Sequence, residues 1–251
     1  GAQLYARPGA HQHLRARYRY ASYDAVADPA FDEILEPMHL TPRDRDEHQV
    51  DASWRYHAKR WALAARVDWT RRHYTTLQAQ DAGGGTPDPA TGARNPDQRL
   101  NVLEPSAELE LTRLEGRLDV SFRYGREMQD DPYQGYYSFT GHNPSVRVRY
   151  AATPRLSIRA AWEGWYRTYG PDASRRLEPG TGSRRTDDRT RLAGEASYGL
   201  GGGLSARAEV AWVKRDTNYR DYVPPPLGSS AFDIRFDYTN LSVLGGLEYR
   251  L

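Results

Sequence analysis

Cysteine is absent from the 251 residues, which excludes disulfides, thiolate metal centres and cysteine nucleophiles together. Lysine is nearly absent too: of 35 basic residues, only Lys59 and Lys214 are lysine. That excess of arginine reflects either a compositional bias of the genome or a need for the fixed donor fork of the guanidinium group. No apolar run approaches the roughly 18 residues of a membrane helix, so a place in a membrane would have to be reached with strands. Gly1–Ala10 has neither the basic start nor the apolar core of a secretory signal. Export to an outer membrane would therefore require that a signal had already been removed. Net charge is only +2, with no basic block that would suggest nucleic acid. The length suits one all-β domain over 1–251, with residues 1–10 expected to precede it as a periplasmic segment.

What the chain has in abundance is alternation. Leu14, Ala16, Tyr18 and Tyr20 share one parity while Arg15, Arg17 and Arg19 share the other, the period of a strand and not of a helix. Val50, Ala52, Trp54 and Tyr56 alternate with Asp51, Arg55 and His57; Trp61, Leu63, Ala65, Val67 and Trp69 alternate with Arg66 and Asp68. Ala107, Leu109 and Leu111 oppose Glu108 and Glu110, and Leu118, Val120, Phe122 and Tyr124 oppose Arg117, Asp119 and Arg123. Val146, Val148 and Tyr150 oppose Arg147 and Arg149, while Leu156, Ile158, Ala160 and Trp162 oppose Arg159 and Glu163. Leu192, Ala196 and Tyr198 oppose Arg191 and Glu195, and Leu204 to Trp212 oppose Arg207 and Glu209. Leu241, Val243, Leu247, Tyr249 and Leu251 close the series, giving about ten strands.

The connections alternate in length. Short turns fall near Ala58–Arg60, Arg113–Gly116, Ala151–Arg155 and Gly199–Gly203, whereas long links rich in Gly, Pro and Asp cover Asp24–Glu47, Gln78–Gln98, Gly125–Tyr137, Tyr169–Asp187 and Tyr219–Arg235. Within the first of these, Ala30–Leu35 could form a short helix. Short turns on one side and long loops on the other predict a transmembrane up-and-down antiparallel β-barrel, with an even strand number placing both chain ends on the short-turn side.

A soluble barrel would also alternate, with its apolar residues inward. The other parity decides between the two, because it mixes arginines and carboxylates densely, as a lumen cut off from bulk water requires. The expected lumen lining is therefore the arginine and carboxylate set just named. The aromatics add a second test: Tyr56, Trp61, Tyr150, Tyr198 and Tyr249 lie beside short turns, while Tyr20, Trp69, Tyr124, Trp162, Tyr166 and Trp212 lie toward the long loops. Two aromatic girdles at the lipid interfaces are expected from that clustering.

The end of the chain, Leu247-Glu248-Tyr249-Arg250-Leu251, resembles the C-terminal signature of bacterial outer-membrane proteins, with Leu251 in place of the usual phenylalanine. The resemblance implies an outer-membrane location, recognition by the barrel-assembly machinery, and contact with outer-membrane lipid and lipopolysaccharide. Ten strands is also the number in the omptin proteases. The acidic pairs Asp130-Asp131 and Asp187-Asp188 would split across the two faces of a strand, however, and no Asp-x-His follows them, so no enzyme is expected.

Other chemistry is sparse. His142 could serve as a base near an outer rim, with no serine partner identifiable. His11, His13 and His57 share the short-turn side without completing a metal site, and Asp28, Asp32, Glu33, Glu36, Asp81, Asp88 and Asp97 match no calcium loop. Gly83–Gly85 and Gly201–Gly203 lack the lysine and setting of a phosphate loop and suit turns. No cofactor or metal is expected. The expected role is a structural or anchoring barrel with a charged, largely filled lumen and an envelope protein partner. The alternatives are a narrow anion-favouring channel, a rim hydrolase, or part of a larger barrel.

Overall fold

The computed structural model describes residues 1–23, 44–79, 95–170, 184–218, 220–223, 232–235 and 237–249. Eleven strands form one sheet in chain order: β1 (Ala2–Gly9), β2 (Gln12–Tyr23), β3 (Arg45–His57), β4 (Trp61–Gln78), β5 (Asp97–Arg113), β6 (Leu118–Asp130), β7 (Phe139–Ala151), β8 (Leu156–Tyr169), β9 (Thr186–Gly201), β10 (Leu204–Thr217) and β13 (Tyr238–Tyr249). Every pairing is antiparallel. Two four-residue strands, β11 (Arg220–Val223) and β12 (Phe232–Arg235), pair separately inside the last long link.

All ten expected strands are present, with three corrections. Residues 1–10, expected to precede the sheet, instead supply β1, which turns at Ala10 and His11 to pair with β2. The sheet thus has eleven strands, an odd number, and its two ends lie on opposite sides: Gly1 at the long-link end, Tyr249 at the short-turn end. Most strands also run further toward the long links than their alternation suggests; β6, for instance, continues through Gly125–Asp130 of the expected link and β7 begins already at Phe139, leaving residues 131–138 between them. Leu251, Ala30–Leu35, Gly83–Gly85 and the loop carboxylates Asp28, Asp32, Glu33, Glu36, Asp81 and Asp88 lie outside the described residues.

The register places the two parities on opposite faces throughout. One face runs through Ala52, Val67 and Pro105 in adjacent strands, and the other through Asp51, Asp68 and Glu104. Their exposure is the reverse of a soluble core. Leu63, Ile158 and Val210 are 37%, 42% and 44% exposed, while Glu47 and Asp187 are at 3% and 9%. Apolar side chains this exposed on the bulk of one sheet face would collapse in water, and lipid is the solvent that tolerates them.

The outward residues also show where the lipid ends. On β4 they read Trp61, Leu63, Ala65, Val67, Trp69 and then Arg71; on β10, Leu204, Ala206, Ala208, Val210, Trp212 and then Lys214. The same change comes at Asn101 after Leu103, Arg126 after Tyr124, and His142 before Pro144. Trp61 to Trp69 spans roughly 26 Å of strand at ~3.3 Å per residue, comparable to the ~25 Å apolar band of outer-membrane barrels. All eleven expected girdle aromatics stand on this apolar face. Tyr20 and Tyr166 sit just above the band, Tyr166 opposite His142 and Asp188 and folded over Gly164, where a Cβ would come within 2.7 Å of its ring.

Above the band the strands continue as a water-exposed collar, and among the described residues the small buried apolar set lies there except for Ala62: Ala79, Leu100, Tyr136, Phe139 and Tyr169. At the opposite end the turns are tight. Gly201, Gly202 and Gly203 all have positive φ, which lets the β9–β10 hairpin close with the primed geometry that matches strand twist. Two prolines sit within strands. Pro105 interrupts the β5–β6 ladder between Leu103 and Ser106, and Pro144 interrupts β7–β8 between His142 and Ser145.

Inverting the faces should be costly in one direction only. Ala65→Arg, at the middle of the apolar band, is expected to destabilise the protein in lipid vesicles by about 2–4 kcal/mol. Ala64→Arg, one residue away on the charged face, should cost far less; equal losses in reversible urea unfolding would contradict the assignment of faces.

Candidate functional site

The charged face is the candidate site. Adjacent strands deliver its residues in rows, since each antiparallel register step keeps one parity on one side. Of the expected lining, Arg15, Arg17, Arg19, Arg55, Arg66, Asp68, Glu108, Glu110, Asp119, Arg123, Arg147, Arg149, Arg159, Glu163, Arg191, Glu195, Arg207 and Glu209 share this face. Arg117 does not join them on a strand; it belongs to the β5–β6 turn, after the Leu114–Gly116 3-10 segment.

The face curves inward. One recess of about 630 Å³ is lined by residues from Glu110 on β5 to Glu209 on β10, a reach that a flat sheet would not give. Arg55 on β3 likewise bridges across β4 to Glu110 on β5, and Arg167 on β8 crosses β7 to Glu127 on β6 at 3.0 Å. Small residues make room for these long side chains. Gly125 lies 3.0 Å, measured from an added Cβ, from a carboxylate oxygen of Glu104, and Gly141 lies 3.1 Å from Arg167 by the same measure.

Carboxylates and guanidinium groups occupy different depths. Glu163 accepts from Arg147 at 3.0 Å and from Arg191 at 3.3 Å. Glu195 meets Arg207 at 3.0 Å and Arg159 at 3.5 Å, and Arg207 reaches on to Glu209 at 3.3 Å. The side chains of Glu163 and Glu195 are 15% and 18% exposed, those of Arg147 and Arg159 58% and 55%. Acids are sunk against the sheet and cations stand in front of them. Arg149 is directly opposite Arg159 in the register, a like-charge pairing that is unfavourable by itself, within a recess that four arginines and four carboxylates line.

Toward β2–β6 the pairing is more nearly balanced. Arg17 contacts Asp51 at 2.5 Å, Arg66 contacts Asp68 at 2.6 Å and Arg123 contacts Glu104 at 3.0 Å. In the collar, Glu47 is shared by Arg72 at 3.0 Å and Arg45 at 3.6 Å, and Asp187 holds Arg215 at 2.5 Å. The alternation at Ala107–Leu111 does not reach back past Pro105 to Glu104, and Glu47, Arg72, Glu127, Arg167, Asp187 and Arg215 lie beyond the apolar band. The one signal for them was continued parity: each is an even number of residues from a recognised member of the charged face.

The remaining candidates disperse. His142 faces outward, hydrogen-bonded through Nδ1 to the Tyr124 hydroxyl. His13 meets His57 edge-on at 5.5 Å, with the Tyr5 hydroxyl 2.5 Å from its Nδ1, while His11 sits in the β1–β2 turn near Tyr56. Asp187 belongs to the charged face and Asp188 to the outer one; Asp130 closes β6 on the outer side and Asp131 is buried in the link that follows.

Asp131 organises that link. Its carboxylate accepts the amides of Tyr133 at 3.2 Å and Tyr137 at 3.3 Å, and its own amide donates to the Ser138 hydroxyl at 2.9 Å. Tyr133 then donates to Asn95 at 2.9 Å, and Asn95 to the Ala79 carbonyl at 2.8 Å, tying two collar links together. Burial raises the Asp131 pKa above the ordinary carboxylate value and the charge of Asp130 raises it further, against the pull of the two amides.

No protein-family model and no curated protein matches this chain. Among solved structures it is similar to in-vitro folded OmpT, an outer membrane protein of Vibrio cholerae, with a TM-score of 0.52 at 12% identity over 99% of this chain and 63% of that one. It is also similar to the closed form of the ferric-catecholate import receptor Fiu from E. coli K12, with a TM-score of 0.50 at 9% identity over 98% of this chain and 44% of that one. At such identities the likeness is one of fold, the outer-membrane β-barrel, and the chain spans less than two thirds of either protein.

A carboxyl with a raised folded pKa adds stability at low pH that is lost as pH rises through that pKa. Amide exchange at Tyr133 and Tyr137, corrected for intrinsic rates, should therefore show strongest protection below the ordinary carboxylate range and weaker protection above it. Asp131→Asn should flatten this dependence; an unchanged profile in the variant would place its origin elsewhere.

Proposed function

We propose that this chain is an outer-membrane protein whose charged face lines a passage favouring anions over cations. The observation that carries the reading is the difference in exposure: Glu163 and Glu195 are 15% and 18% exposed against 58% and 55% for Arg147 and Arg159, in a recess that Arg147, Arg149 and Arg159 line together with Glu110, Asp119, Glu195 and Glu209. An ion moving along such a wall meets guanidinium groups first, and low-dielectric surroundings strengthen the attraction. The carboxylates behind them limit the cost of gathering so many cations. The anchoring role expected from the sequence rests on a lumen packed shut by its own charges; a curved face that keeps a recess of about 630 Å³ favours passage instead. Arginine serves this wall better than lysine, because one planar group can hold its carboxylate and still present donors outward.

The test is the reversal potential across a planar bilayer under a salt gradient, using protein whose folded band shifts on heating. The expected sign is anion-selective, and selectivity should fall between 0.1 M and 1 M salt as the screening length drops from ~10 Å to ~3 Å. Reversing Arg147, Arg149 and Arg159 to glutamate together should move the potential toward cation selectivity. Cation preference in the parent protein, or a folded protein that never conducts, would overturn the proposal.

A further inference from the structure

Tryptophan marks a second place on the charged face. Five of the six tryptophans, Trp54, Trp61, Trp69, Trp162 and Trp212, stand on the apolar face, where lipid accounts for them. Trp165 is the exception: it follows Glu163 by two residues on β8 and so points inward, among arginines and carboxylates. Its ring is half-buried, and neither lipid nor an apolar core calls for an indole there. Arg189, opposite it on β9, holds the ring in place with its Cζ 5.1 Å from the centroid, a cation–π contact.

Trp165 also borders a recess of about 360 Å³ on the wall from β4 to β8, to which Arg189 does not contribute. That volume is at the lower end of the range for small-molecule sites. Pro144 interrupts the β7–β8 ladder at this level. The register on either side, His142 with Tyr166 and Ser145 with Glu163, places Asn143 directly across from Trp165, near enough for the two side chains to flank one ligand. Oδ1 of Asn143 is buried and has no hydrogen-bond partner, and Ser145 adds a hydroxyl to the lining. The charged groups of this wall come as matched couples: Arg66 with Asp68 at 2.6 Å, and Arg123 with Glu104 and Arg147 with Glu163, both at 3.0 Å.

A simple anion carries acceptors alone; in this recess it would face as many carboxylates as guanidinium groups and leave the ring uncovered. A wholly apolar ligand would cut the ion pairs off from water and give them nothing in return. A ligand with one flat C–H face and a rim of hydroxyls matches both parts of the wall. Its face covers the indole, and its hydroxyls, which both donate and accept, meet carboxylates and guanidinium groups alike. A hydroxyl also satisfies Asn143 whichever way the amide is turned. We infer that this recess binds a neutral hexopyranose unit, stacked on Trp165 and hydrogen-bonded to Asn143, Ser145 and the surrounding ion pairs. The site lies on the wall proposed to pass anions, but it depends on that wall being wet and not on its ion selectivity, so either reading can fail alone.

Calorimetric titration of detergent-purified protein that shows the heat-dependent gel shift tests this without any conductance measurement. The neutral probes are maltotriose, mannotriose and galactotriose; benzoate, phosphate and glycine stand for an aromatic anion, an inorganic anion and a zwitterion. Saturable binding of at least one trisaccharide at millimolar concentration is expected. Trp165→Ala should weaken it about tenfold or more, Trp165→Phe and Asn143→Ala by smaller factors, and Trp162→Phe on the lipid face should leave it unchanged. Anions held elsewhere on the arginine wall should bind equally to the parent and to Trp165→Ala. No trisaccharide binding by the folded parent protein, trisaccharide affinity that survives Trp165→Ala, or Trp165-dependent binding of benzoate, phosphate or glycine in place of a saccharide would each overturn the inference. The parent titrations need no variant to fold.

Discussion

Backbone hydrogen bonding in a solvent that offers none is the constraint on which this molecule rests. In lipid each N–H and C=O must find its partner in an adjoining strand, and the long antiparallel ladders from β1 to β13 are the response. Once the ladder carries the polar burden of the chain, side chains are left to match their surroundings by parity alone. That division produces both the bare apolar face and the charged one, and it explains why the usual inventory of a buried core is nearly empty within the membrane band.

The charged face shows how ionisable groups can be kept at membrane depth. Carboxylates such as Glu163 and Glu195 each take two arginines from flanking strands, so each acid is satisfied from both sides while each guanidinium keeps donors to spare. At these two acids the guanidinium groups of Arg147 and Arg159 are the more exposed partners. Exposed ion pairs add little stability one at a time; their significance here lies in the field that they set up together.

Much of this was legible in the sequence, because period-two alternation survives wherever lipid and charge press on opposite faces. Ten strands, the strict alternation of short and long connections, and the charged-face residues within the apolar band followed from it, apart from Arg117, which the turn took, and Glu104, which it did not reach. β1 escaped because Tyr5 falls on the polar parity and Pro8-Gly9 reads as a turn. The upper reaches of the strands escaped for a different reason: beyond Trp69 or Trp212 both faces meet water, so Arg71 and Lys214 break the pattern although the ladder continues. Which arginines stand forward, and that Arg55 reaches Glu110 across an intervening strand, depend on sheet curvature, and no linear pattern encodes that.

The collar has a consequence for how this protein can change. β4 extends nine residues past Trp69, roughly 30 Å along the strand and about 20 Å in height at a tilt of ~40°. Within it, links such as 131–138 are fastened by their own hydrogen bonds and small buried clusters. Insertions or deletions at the outer tips are therefore cushioned from the membrane band by several rungs of water-exposed ladder. A change of link length is taken up in the collar, while the wall beneath it stays fixed.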